Sequence, residues 1–142
     1  MLVKTLLLAL SLGMSSLLQA DVLVIVNANN PIDRLERKQA VDLFMGRVSA
    51  FPGGAPAQTL DLQGGAPGRA IFYKILTGKS EAQVDAYWAT LVFAGRMSPP
   101  KQLPNDKAMI TAVTDNLSAI AYVTPQELPA GVKVVMELKS AQ

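Results

Sequence analysis

The sequence predicts an α/β layered domain built on a small sheet. Two observations lead there. Short β-branched runs stand at both ends of the chain, at Val22–Val26 and again at Ala119–Val123 and Val132–Leu138. Between them lie segments whose apolar residues recur at helical spacing, broken by glycine and proline turns. The order read from these signals is β-α-β-α-α-α-β-β, with the strands drawn from distant parts of the chain.

The elements follow in turn. Val22-Leu-Val-Ile-Val26 is a continuous apolar run, the pattern of a strand buried on both faces. Asn27-Ala-Asn-Asn-Pro31 is turn chemistry. Glu36 to Met45 places Ala40, Val41, Phe44 and Met45 on one helical side, and Gly46 follows as its cap. Phe51-Pro-Gly-Gly-Ala-Pro56 is a loop, and Gln58 to Leu62 a second strand. A helix is expected from about Pro67 to Leu76, with Ile71, Phe72, Ile75 and Leu76 inward and Tyr73 and Lys74 in solvent. Ser80-Glu-Ala-Gln83 has the spacing of a capping box, opening a helix whose inward line is Val84, Tyr87, Trp88, Leu91 and Val92 and which Gly95 closes. Arg96 to Pro104 reads as a loop with three prolines. Asn105 or Asp106 begins the last helix, with Met109, Ile110 and Val113 inward, before the two final strands.

Composition bounds the function. The 142 residues suffice for one domain with a core, and half of them are apolar. Residues 1–20 have the pattern of a cleavable secretory signal peptide: Lys4, a short apolar run from Thr5, and a small residue, Ala20, ahead of Asp21. The apolar run is shorter than the roughly 20 residues that span a bilayer. Residues 21–142 are then a single domain. Removing Lys4 from the 13 basic residues leaves 12 against 11 acidic ones, scattered along the chain, which points to no nucleic-acid partner. Export without any cysteine suits a Gram-negative periplasm, where the fold rests on its core alone. The chain also has no histidine, which removes histidine triads, histidine bases and the ordinary zinc sites. The six methionines do not cluster. No cofactor is implied.

The stretch richest in chemistry is Leu60-Asp-Leu-Gln-Gly-Gly-Ala-Pro-Gly-Arg-Ala-Ile-Phe72, a strand, a glycine turn and a helix. It is neither a P-loop nor a dinucleotide fingerprint: Gly68-Arg69-Ala70 comes one residue too soon and lacks the hydroxyl, and Gln63 stands where a glycine would be needed. With Pro67 as first helical residue, the amides of Gly68, Arg69 and Ala70 lack acceptors, and the helix end carries about half a positive charge. Arg69 adds a planar guanidinium suited to oxyanions. This is a candidate anion cradle, with Gln63, Gly64 and Gly65 on its loop. Asn27 is a further candidate, because ligands gather beyond the carboxyl ends of strands in open α/β sheets. The competing reading makes the glycines a tight corner, Arg69 a solvated side chain and the asparagines turn formers. Trp88 with Tyr87 reads as core, and Asp33 with Glu36 as a solvated helix start.

Val26-Asn27 with Asn30-Pro31, Leu35, Phe44, Gly46, Phe51-Pro-Gly-Gly54, Phe72, Trp88, Phe93-Ala-Gly95, Pro99-Pro100 and Ala119-Ile-Ala-Tyr-Val123 together resemble, in order, the second half of the phosphate ABC transporter substrate-binding proteins. The resemblance implies a single two- or three-layer lobe like half of a type II periplasmic binding protein. It implies no enzymatic activity, and partners such as a small oxyanion like phosphate, an ABC permease or a sensor protein. It also maps Asp61–Arg69 onto the family's ligand loop, but without that loop's hydroxyls. Each lost hydrogen bond to a charged group is worth about 1.5–3 kcal/mol. Two such losses weaken phosphate binding roughly a hundredfold or more. Two readings result: a periplasmic solute-binding module holding an oxyanion at a helix N-terminus for uptake or sensing, or an interaction protein that kept the fold and lost the ligand, its uncovered surface free to form a homodimer. An enzyme would have Asp61 as its one well-placed base.

Overall fold

In a computed structural model, which describes residues 20–140, five strands form one mixed sheet in the order β3-β2-β4-β1-β5. They are β1 (Val22–Asn27), β2 (Gln58–Leu62), β3 (Lys101–Leu103), β4 (Ala119–Val123) and β5 (Val132–Leu138). The helices are α1 (Arg37–Phe44), α2 (Arg69–Thr77), α3 (Glu81–Phe93) and α4 (Asp106–Asp115). The expected signal peptide, residues 1–20, lies outside the described residues but for Ala20. No helix among the described residues is long and apolar enough to cross a membrane.

β1 is buried along its whole length because it is an interior strand, antiparallel to β4 on one side and β5 on the other. β2 runs parallel to both β3 and β4. The carboxyl ends of β2, β3 and β4 therefore lie together, and that of β1 lies at the opposite end of the sheet. This polarity decides which predicted site residues can meet.

β3 replaces the expected proline loop. It pairs in parallel register with β2, Leu60 to Lys101 and Leu62 to Leu103. The Leu103 carbonyl accepts from Gln63 N–H, so positions 103 and 101 face β2 and Gln102 faces outward. The next outward positions, Pro100 and Pro104, have no N–H to offer. Proline spacing thus both hides the strand from pattern reading and blunts the sheet edge against further pairing.

α2 starts later than expected. Gly68, at φ 92°, is its N-cap, so Pro67 stands outside the helix. Its inward face is also rotated. Tyr73 is fully buried beside Phe72 and Leu76, whereas Ile71 is half exposed. Val92 on α3 is likewise half exposed, although helical spacing placed it inward. The capping box of α3 forms as read: Gln83 N–H donates to Ser80 Oγ, and Ser80 N–H to Gln83 Oε1. Asn105 caps α4 through Ala108 N–H. The core gathers Phe44, Phe72 and Tyr122, the last two stacked with ring centroids 3.6 Å apart.

Candidate functional site

The glycine turn carries the chain from the carboxyl end of β2 into α2. Gln63 N–H is tied to β3, and the Ala66 amide closes a turn back onto the Gln63 carbonyl. Gly65, at φ 80°, gives its N–H to Glu81 Oε1 at 3.4 Å. Gln63, Gly64, Gly65 and Ala70 are exposed, and Gly68 half-buried. A side chain at Gly68 would stand 3.2 Å from Thr124 Cγ2 as well as in left-handed backbone, so glycine there serves the close approach of the loop to β4.

Arg69 does not reach solvent. It is 1% exposed, and its guanidinium is enclosed by carboxylates. Nε and Nη2 donate to Asp61 Oδ2 at 3.4 and 3.2 Å, Nη2 also to Asp85 Oδ1 at 3.0 Å, and Nη1 to Glu81 Oε1 at 3.1 Å. Asp61, itself 2% exposed, accepts in addition from Tyr73 Oη at 2.7 Å, from Tyr122 Oη and from Leu62 N–H at 2.8 Å. The guanidinium also lies 5.3 Å from the Tyr73 ring centroid. Burial by itself would lower the Arg69 pKa. Asp61, Asp85 and Glu81 outweigh it and hold the group above its ordinary value. Burial, then the Asp61 charge, push the Tyr73 and Tyr122 phenols well above theirs, so both remain hydrogen donors to Asp61.

The chemistry follows from the count. One cation faces three carboxylates, so the cluster is net negative where the isolated sequence suggested a positive pocket. The position in which an oxyanion would meet the guanidinium and two hydroxyls is filled by the chain's own Asp61. As a base, Asp61 is poorly placed: each oxygen is already engaged by hydrogen donors. The mouth of the neighbouring helix is filled in the same way. Asp106, first residue of α4, accepts from Thr124 N–H at 3.0 Å, Thr124 Oγ1 at 2.6 Å and Gln126 Nε2 at 3.1 Å. Between the two helix starts lies a cavity of about 270 Å³, lined by Ala66, Pro67, Asn105, Asp106, Lys107 and Thr124. Of the amides named as a cradle, Arg69 N–H closes onto the Ala66 carbonyl at 3.2 Å. Those of Gly68 and Ala70, and of Ile71 beyond them, have no acceptor among the described residues.

Asn27 is not part of this group. It ends β1 at the far end of the sheet, where its Nδ2 caps the carboxyl end of α4 through Val113 and Thr114 carbonyls, both at 3.0 Å. A helix of ten residues, about 15 Å, separates it from the α4 start beside Thr124. Asn30 is likewise structural, bound to Leu117 O and Ile32 N. Tyr73, Tyr122, Glu81 and Asp85 are the members that sequence reading missed. The signal for Tyr73, Glu81 and Asp85 was helical spacing: Tyr73 stands four residues after Arg69, and Glu81 and Asp85 are four apart on α3.

Comparison with known proteins places this geometry on a fold. No protein-family model and no curated protein sequence matches the chain. Solved structures do. A Clostridium perfringens protein described as a phosphate ABC transporter substrate-binding protein, with bound phosphate, superposes with a TM-score of 0.66 at 20% identity, covering 82% of this chain and 44% of that one. An ABC-type phosphate transport receptor from Vibrio cholerae gives 0.64 at 16% identity, over 82% and 45%. A protein from Planctomyces limnophilus described as phosphate-binding gives 0.53 at 16% identity, over 74% and 36%. The chain spans less than half the length of each. It has the α/β fold of one half of the phosphate ABC transporter substrate-binding proteins.

Proposed function

We propose that the protein is an exported, non-catalytic module of the solute-binding type that works by contact with another protein, its anion position being filled from within. The observation that carries this reading is the enclosure of Arg69 by Asp61, Glu81 and Asp85 at 1% exposure. A phosphate arriving at the start of α2 meets net negative charge and no free guanidinium. Exposed apolar side chains supply contact area elsewhere: Phe93 is 95% exposed at the end of α3, beside the half-exposed Val92. Partners that fit the role are a transport permease, a sensor protein or a second copy. Export to the periplasm through residues 1–20, leaving 21–142 as the working lobe, is part of the same proposal.

A second reading keeps a small oxyanion such as phosphate as ligand for uptake or sensing. It is favoured by the unoccupied amides of Gly68, Ala70 and Ile71 at the exposed start of α2, together with the fold shared with phosphate-binding proteins. Calorimetry of residues 21–142 with phosphate, sulfate and small carboxylates separates the two. The first reading expects no heat at millimolar ligand in the native chain, and new phosphate binding when Asp61→Asn, Glu81→Gln and Asp85→Asn free the guanidinium. Saturable heat with one of these anions in the native chain establishes the second and overturns the first.

A further inference from the structure

Apolar residues run round the whole of α3. On one side Val84 and Trp88 are buried in the core and Leu91 is half-buried. On the other side Ala82, Ala86, Ala89 and Phe93 follow one another at helical intervals, and all four are exposed. A helix that is apolar all round normally has both sides covered. Phe93, at 95% exposure, has almost no neighbour within its own chain. The turn behind it is fixed: with Gly95 at φ 65°, Gly95 N–H reaches the Val92 carbonyl and Arg96 N–H the Leu91 carbonyl. The ring is therefore an apolar knob held at a set place on the surface.

A matching recess stands at the other end of the same helix face. An open groove of about 680 Å³ lies where the start of α3 meets the outer side of α2, with Ala70, Ile71, Ile75 and Ala82 as its apolar lining. Its charged residues, Lys74 and Glu81, are of opposite sign. Ile71 is half exposed there, with nothing in the chain to cover it. Ala82 and Phe93 are separated by about 16 Å along the helix. Charge follows the same polarity. Glu81 and Asp85, the latter 58% exposed, belong to the first half of α3, whereas residues 86–105 contain Arg96 and Lys101 and no acid.

We propose that a second copy of this chain covers this face, the two α3 helices lying antiparallel about a two-fold axis with Phe93 of each copy in the α2–α3 groove of the other. The inference rests on the reading of the protein as a contact module and names the partner. Its register is self-consistent: setting Phe93 opposite Ala82 sets Ala89 opposite Ala86. The middle of the contact is then made of small side chains, which let the helix axes approach to about 8 Å. Antiparallel order alone brings knob and recess to the same level at both ends, and a two-fold contact of this kind closes after one partner. It also opposes the two helix dipoles and brings Arg96 of one copy toward Asp85 of the other. A contact along one helix is small, in the range below about 1,200 Å² where pairs are weak and transient.

Sedimentation equilibrium of residues 21–142 should show monomer–dimer exchange with a Kd below about 1 mM. Phe93→Ser and Ala89→Glu, both changes at exposed side chains, should each weaken it at least about tenfold, with thermal unfolding of the dilute monomer unchanged. The chain has no cysteine, so introduced ones report the register. A mixture of Ala86→Cys and Ala89→Cys should form a disulfide under mild oxidation. Ala82→Cys alone should not, because the two copies of that residue would stand about 16 Å apart. The proposal is overturned if the chain stays monomeric up to about 1 mM, if both surface substitutions leave association unchanged, or if Ala82→Cys cross-links as readily as the mixture. Each of these results leaves the calorimetric test of the contact-module reading untouched, so the two can fail separately.

Discussion

Replacing Arg69 with methionine tests whether the guanidinium is part of the fold's interior or a ligand group in waiting. The substitution keeps an unbranched apolar stem and removes the charge that faces Asp61, which is 2% exposed. Breaking one side of a buried ion pair costs about 3–5 kcal/mol, because the remaining charge stays desolvated. Here Asp61 keeps Tyr73, Tyr122 and Leu62 as hydrogen donors, which places the expected loss near the lower end, about 3 kcal/mol. That is a large share of the roughly 5–15 kcal/mol that holds a domain of this size. At a urea sensitivity of about 1–3 kcal/mol per molar, the unfolding midpoint should fall by about 1–3 M. The assay is equilibrium unfolding in urea followed by Trp88 fluorescence. Adding Asp61→Asn to the same chain should restore part of the loss, since the uncompensated charge is then gone. A loss under about 1 kcal/mol, with no coupling between the two positions, would refute the argument that the cluster is an internal ion-pair network.

Four further outcomes follow from the same structure. Stability should fall as pH rises past the ordinary tyrosine value of 10.0, because Tyr73 and Tyr122 stay protonated in the folded chain but ionise in the unfolded one. Each contributes a slope of up to about 1.4 kcal/mol per pH unit, and Tyr122→Phe should make the alkaline decline shallower in urea titrations at graded pH. Gly46→Ala should lose at least about 1–2 kcal/mol, because the backbone there is left-handed and the new Cβ would stand 2.5 Å from Trp88 Cη2, a collision visible as a changed emission maximum. Ser80→Ala should cost about 1 kcal/mol by thermal unfolding through loss of the α3 cap. Phe93→Ser should leave thermal stability within about 0.5 kcal/mol and weaken self-association or partner capture measured by light scattering and pull-down, if the exposed end of α3 is the contact surface.

Much of the layout was legible in the chain order alone. β2, β4 and β5 fall where alternation and β-branched runs put them, and the α3 capping box and the α4 N-cap form as their spacing required. These are local effects: a side chain meets a backbone group three residues away, or a short apolar run has two faces to bury. β3 was hidden because its identity depends on pairing with β2 rather than on its own residues, two of whose neighbours are prolines. The inward face of α2 was misjudged at Ile71 and Tyr73, because a helix wheel ranks residues by hydrophobicity and does not foresee a buried carboxylate waiting for a phenol.

By itself the sequence determined what chemistry was absent, where the glycine turn lay, and that Arg69 stood beside a helix start. It could not determine the sign of the local charge. That was decided when tertiary packing brought Asp61 from β2 and Glu81 and Asp85 from α3 around one guanidinium, at sequence separations of 8 to 16 residues. Strand polarity likewise removed Asn27 from the group, since β1 runs against β4 and ends at the other edge of the sheet's length. The physical reason is the same in both cases. Coulomb energy depends on distances through space, and only the folded chain sets them.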